Sequence, residues 1–193
     1  MGQRLHALGS DTWRLDALWD ASLCQHVIEV ADHCEFLSPP PGSSLTGEPR
    51  SNEVLPLRDA DALLLSTNQL LIGALAIARD LLAAQYDTTF SHIELYAIER
   101  FRPGQTHKRH HDGLILSDRY TELARGLAAR DVTLLGFLND DFEGGQVVLD
   151  RQSIKVEPVQ GGVVAFPACY THPYQTLPVR RGCKYSVLAW LIH

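Results

Sequence analysis

Apolar positions recur at helical spacing over DASLCQHVIEVADHCEFL, where Leu23, Val27, Val30 and Ala31 share one face. The stretch predicts an amphipathic helix opening near Asp20 or Ser22. A second helix is predicted over STNQLLIGALAIARDLLAAQY, capped by Ser66 or Thr67 and apolar around most of its circumference. Between them SPPPGSSLTGEPRSNE (38–53) is rich in Pro, Ser and Gly and reads as a loop. From about residue 92 the period changes to two. HIELYAIERF predicts a strand, PGQ at 103–105 a turn, and DRYTELARGLAAR (118–130) a short helix or structured insert. The runs VTLLGFLN, GQVVLD, GGVVAFP and KYSVLAWLI follow as further strands, separated by glycine- and proline-rich turns. Helices first and closely spaced strands afterwards predict an α+β fold with an antiparallel sheet or barrel, and short strands with glycine turns suit a double-sheet jelly roll.

Composition narrows the picture without changing it. The chain has 193 residues, 45% of them apolar, which suits a single domain: helical support and loop over 1–90, a strand-built core over 91–193. A net charge of −6 gives no footprint for nucleic acid, and no apolar run is long enough to span a bilayer. The four cysteines form no CxxC pair, so a reduced, cytoplasmic protein is expected.

The chemistry concentrates in HKRHHDG (107–113). A helix there would put His107 and His111 on one face, but Lys108 stands where a zinc-protease helix needs Glu, and Pro103, Gly104 and Gly113 leave little room. In an extended chain His110 and Asp112 point to one side and His111 to the other, which leaves His107 for the rim of the entrance. One imidazole and one carboxylate on a strand face are two-thirds of the 2-His-1-carboxylate triad that holds non-haem Fe(II). Downstream only His172 and the terminal His193 could complete it, and His172, between a strand and a turn, is the better placed. Three protein ligands leave room on iron for a bidentate 2-oxo acid and O2. Lys184, opening the last strand, could clamp the distal carboxylate of such an acid.

Over residues 92–192 the sequence resembles the 2-oxoglutarate- and Fe(II)-dependent dioxygenases of the prolyl 4-hydroxylase-like branch. RFRPGQTHKRHHD is similar to the family's aromatic-x-x-Gly-Gln…His-x-Asp segment. RDVTLLGFLNDDFEGGQVVL carries the Arg-x-x-Thr, Leu-Asn and Glu-Gly-Gly run, with Arg130, Thr133, Asn139 and Gly144-Gly145 in place. VEPVQGGVVAFPACYTH resembles the strand before the distal His, and LPVRRGCKYSVLAWL the Pro-Val-x-x-Gly-x-Lys-Tyr ending. The resemblance implies a jelly-roll (double-stranded β-helix) core with N-terminal supporting helices. It implies His110, Asp112 and His172 as metal ligands, Lys184 as the 2-oxoglutarate base, and Thr133 and Tyr185 as further donors to the co-substrate. It implies Fe(II), 2-oxoglutarate and O2, with room for ascorbate, and hydroxylation of an aliphatic C–H coupled to release of succinate and CO2. The substrate would be a small molecule, an amino acid or a peptide; oligomeric state is left open.

Two departures are visible. Phe101 stands where the family often has Tyr, and Tyr174 stands four residues before Pro178, where the family often has its distal His. Two other readings therefore remain: a non-catalytic binding protein of the same fold, and a zinc hydrolase using His110, Asp112 and His172 with Glu143 as base.

Overall fold

The run KYSVLAWLI forms β13 (Lys184–Ile192), and every residue in it is buried. In the computed structural model, which describes residues 4–38, 51–57, 62–113, 124 and 129–193, β13 pairs antiparallel with β4 (His92–Phe101) on one side and β6 (Val132–Phe137) on the other. Beyond β6 lie β10 (Val163–Pro167) and the hairpin of β1 (Arg4–Gly9) and β2 (Thr12–Asp16); beyond β4 lies β3 (Glu53–Pro56). The smaller sheet is built from β5 (His107–His110), β11 (Tyr174–Thr176), β8 (Val147–Leu149) and β9 (Ile154–Val156), in that order. A short ribbon pairs β7 (Glu143–Gly144) with β12 (Val179–Arg181).

Two apolar layers follow from strand alternation. Leu135, Phe137, Val147, Leu149, Val164, Phe166, Leu188 and Trp190 fill the space between the two sheets. Val187, Ala189 and Leu191 point the other way, onto α1 (Ala21–Asp32) and α2 (Ala62–Tyr86), where they meet Val27, Leu71, Leu75 and Leu82. The predicted helix near Asp20 is α1, with the Asp20 carboxylate accepting from the Leu23 amide at 2.8 Å as its N-cap.

The structure corrects several expectations. The second helix begins at Ala62, so Ser66 and Thr67 lie inside it and do not cap it. The described part of residues 1–90 holds three strands as well as helices, and β1 and β3 close the two edges of the large sheet. Leu5 and Ala7, then Trp13 and Leu15, alternate with polar residues in RLHALGSDTWRLD, a period-two signal that the helix-first expectation passed over, and these short strands are held by the hairpin and by pairing with β10. Most of the insert expected at 118–130 and most of the loop at 38–53 lie outside the described residues. Among the described residues no helix is long and apolar enough to cross a membrane, and all four cysteines are free thiols.

The N-terminal segment docks on the jelly roll through Gly161. Its amide donates to Phe137 O, and its carbonyl accepts from the amides of Leu18 (2.8 Å) and Trp19 (3.2 Å). Gly161 has φ +75°, and a Cβ there would run into the Trp19 carbonyl. Gly161→Ala is expected to cost about 1–3 kcal/mol in urea unfolding. Gly9→Ala, also at positive φ but with nothing nearby, should cost less.

Candidate active site

The turn predicted at PGQ brings the chain from β4 into β5. Gly104 takes φ +85° and Gln105 bonds back to Arg102. β5 then pairs with β11, His110 opposite Tyr174 and His107 opposite Thr176, with an irregularity between the two pairs. That irregularity turns both His107 and His110 inward, leaving Lys108 and Arg109 exposed between them. His107 is therefore not a rim residue. Its ring lies flat on that of His110, 3.6 Å between centroids and 19° between planes.

His110 and Asp112 come together as the extended reading requires. The His110 Nδ1 lies 2.7 Å from Lys108 O, and since a carbonyl can only accept, Nδ1 carries a proton. In the neutral ring Nε2 is then the lone-pair nitrogen, and it faces Asp112 Oδ1 at 3.6 Å with both side chains almost fully buried. An imidazole lone pair opposite a carboxylate is stable only with a proton or a cation between them. Asp112 is held in place by Thr133, whose hydroxyl donates to Oδ2 at 2.7 Å, and by the Tyr174 phenol, 3.1 and 3.3 Å from its two oxygens. Gly113 sits tight behind it, its amide 2.6 Å from Ala168 O. Arg130 approaches the Asp112 carbonyl at 3.4 Å while its guanidinium lies over Trp190.

His172 does not join this pair. Its Nε2 donates to Ser10 O at 2.7 Å and its Nδ1 lies 2.8 Å from the Thr171 hydroxyl, so both ring nitrogens are engaged away from Asp112. The physical reason is the β5–β11 register: the strand pair ends at Tyr174, and a turn closed by His172 N to Cys169 O carries residue 172 off the sheet. Tyr174 fills the adjoining space, its ring 4.3 Å from that of His110. Burial first, and then the Asp112 charge, push its phenol well above its ordinary pKa, so it is a neutral donor here. Among the described residues no three of His, Cys, Asp and Glu gather as a metal cluster. As the side chains stand, they offer iron two ligands of the three that the triad needs.

The other predicted residues separate by strand face. Lys184 points between the sheets and is completely buried, its ammonium donating to Gly145 O at 2.9 Å and lying 5.1 and 5.3 Å from the Phe101 and Phe137 rings. Tyr185, the next residue, must point outward. Its hydroxyl donates to Asp32 on α1 and its ring meets Phe36, so it cannot touch a co-substrate inside the barrel. Thr133 lies inside but serves Asp112. Glu143, the base of the hydrolase reading, is exposed in the β7–β12 ribbon opposite Arg181. Ser186, which sequence reasoning passed over, lies two residues from Lys184 on the same inward face and is wholly buried. Alternation of β13 is the signal that could have found it. Thr133→Val, by removing the donor that orients Asp112, should weaken divalent metal binding by about 10–100-fold in a Mn(II) titration.

The comparisons agree with this architecture. The sequence model of the 2OG-Fe(II) oxygenase superfamily matches residues 96–192, half of the chain. A protein of Acanthamoeba polyphaga mimivirus named "Putative prolyl 4-hydroxylase" is 23% identical over 185 residues, covering 91% of this chain and 72% of its own. The viral collagen prolyl hydroxylase of Paramecium bursaria Chlorella virus-1, solved with 2OG, superposes with a TM-score of 0.69 at 19% identity over 95% of this chain and 96% of that one. A 2OG-Fe(II) oxygenase family oxidoreductase from Burkholderia pseudomallei gives 0.67 at 14% identity, over 94% and 85%. These superpositions establish the double-stranded β-helix fold. The chain belongs to the 2OG-Fe(II) oxygenase superfamily, and is by family a dioxygenase using Fe(II), 2-oxoglutarate and O2.

Proposed function

We propose that this oxygenase hydroxylates an aliphatic C–H of a prolyl residue, another amino acid or peptide, or a related small molecule. The observation that carries the reading is the buried His110–Asp112 pair, with the His110 tautomer fixed by Lys108 O and the carboxylate fixed by Thr133. These are the preparations a metal-ligating pair requires, since an oriented lone pair and an oriented carboxylate bind without reorganisation. Iron, when bound, supplies the oxygen activation, driven by conversion of 2-oxoglutarate to succinate and CO2. The chain contributes an apolar enclosure and the buried ammonium of Lys184 as anchor for the distal carboxylate. Peptide substrates fit the company the chain keeps: one similar structure, a prolyl hydroxylase from Trichoplax adhaerens, was solved with a peptide fragment.

His172 is the third ligand in this reading. Extending the 174–110 register by two residues along each strand puts residue 172 opposite residue 112. Reaching the metal then requires the ring to leave the Ser10 carbonyl and the turn closed by His172 N and Cys169 O to bring residue 172 back toward the sheet. One observation favours a second reading, a protein that keeps the fold and has lost iron chemistry. Tyr174 already occupies the space beside His110 and Asp112.

Anaerobic titration with Fe(II) and 2-oxoglutarate separates the two. The weak visible absorption of a ferrous 2-oxo acid complex should appear in the unmodified protein, persist in Tyr174→Phe and vanish in His172→Ala. Absorption that survives His172→Ala but is lost in Tyr174→Phe would replace His172 by Tyr174, and none in any variant would leave the non-catalytic reading.

A further inference from the structure

Helix α2 is apolar on both sides, and its core needs only one of them. Leu64, Leu71, Leu75 and Leu82 pack it onto the outer layer of the large sheet. On the opposite side Leu65, Leu70, Ile72 and Ile77 are 53, 51, 41 and 45% exposed. Among the described residues these are four of the seven large hydrophobic side chains that face solvent, so the exposed apolar surface is concentrated on one helix. The layer itself does not demand this. Its other helix, α1, presents Ser22, Gln25, His26 and Glu29 to solvent. A spacing of seven sets Leu65 and Ile72 along one side of the exposed face of α2 and Leu70 and Ile77 along the other, with Gln69 and Gly73 between them.

Charge and area point to what covers this face. No Asp, Glu, Lys, Arg or His occurs over 64–78, and the first charges beyond, Arg79 and Asp80, pair with each other at 2.8 Å. In a contact between identical chains about a two-fold axis each patch meets itself, so any charge there would face its own sign. A charge-free face avoids that conflict, on a chain whose net charge of −6 otherwise keeps copies apart. Four aliphatic side chains, each about half exposed, make a patch on the order of 350 Å², within the range at which exposed apolar patches mark interaction sites. Met by its own copy, such a patch supplies the apolar core of an interface of about 800 Å² per partner. Gly73 fits the same picture. A glycine in mid-helix weakens the helix, and a Cβ at 73 would meet nothing within 4 Å, which leaves room for a second backbone to approach. A lipid surface suits the face less well, because a helix lying on anionic lipid carries Lys and Arg on its flanks.

We propose that the outer face of α2 is a self-association surface, on which a second copy of this chain docks antiparallel to form a two-fold dimer. The positions of the apolar residues suit that symmetry. With the axis level with Leu71, Leu65 stands level with the second copy's Ile77 and Leu70 with its Ile72. Gln69 then stands level with the second copy's Gly73, where space is open to receive it. The buried side of α2 rests on the helix-side layer of β13, so the two barrels stand back to back and their interiors face away from the contact.

Sedimentation velocity on the full chain, over about 1–100 μM, tests the proposal. The unmodified protein should sediment as a dimer, at twice the 21.5 kDa mass of the chain. Gly73→Arg should raise the dissociation constant by about a hundredfold or more, since it fills the space between the helices and brings two like charges close to the axis. The same change should not lower the melting temperature, because the new side chain meets nothing within the single chain and replaces a helix-weakening glycine. Ile72→Glu should also dissociate the dimer. A chain that is monomeric at about 100 μM overturns the proposal. If that monomer floats with vesicles of phosphatidylserine and phosphatidylcholine, the face belongs to a lipid surface instead. A dimer that Gly73→Arg and Ile72→Glu leave as tight as before also overturns it, and puts the interface elsewhere on the molecule.

Discussion

The division of this barrel into an inside and a helix-covered outside depends on the alternation of one strand. β13 is buried on both faces because helices cover one side and the smaller sheet the other. Its odd-numbered residues build the layer under α1 and α2, and its even-numbered residues build the inside of the barrel. That parity puts Lys184 and Ser186 in the interior and Tyr185 outside it. The interior carries a cost in return. A buried ammonium loses several kcal/mol of hydration, recovered only through partners such as Gly145 O. A protein needing stability alone would place Leu or Met at 184, so the lysine is better understood as a binding residue.

The same economy governs the other end of the barrel. His110, Asp112, Thr133 and Tyr174 form a polar knot between Phe166, Trp190 and the stacked ring of His107. Each hydrogen bond there fixes an atom of the pair: Lys108 O sets the His110 tautomer, and Thr133 and Tyr174 set the Asp112 carboxylate. Tyr174 has two consequences. It steadies Asp112, and it stands in the volume beside the His110–Asp112 pair, so the chain's departure from its family is spatial as well as chemical.

Much of this was legible in the sequence. The change of period at residue 92, the PGQ turn, the five apolar strands and the Asp20-capped helix all come from local pattern, and local pattern formed them. The pairing of His110 with Asp112 followed from strand alternation. What failed did so for tertiary reasons. β1 and β3 are edge strands and β2 lies inside the sheet between β1 and β10; runs this short depend on β10 and β4, pairing partners that no local window contains. The inward turn of His107 comes from an irregularity in the β5–β11 pairing. The fate of His172 depends on where β11 ends and on a carbonyl 162 residues away in sequence. Tyr185 was misplaced by reading a motif without its parity.

The central claim is that the buried His110–Asp112 pair is a metal site inside a 2-oxoglutarate oxygenase barrel. An anomalous-scattering map from crystals grown with Mn(II) tests it most directly. The account predicts one strong peak within coordination distance of both His110 Nε2 and the Asp112 carboxylate. A protein saturated with Mn(II) that shows no peak between those two side chains would contradict it.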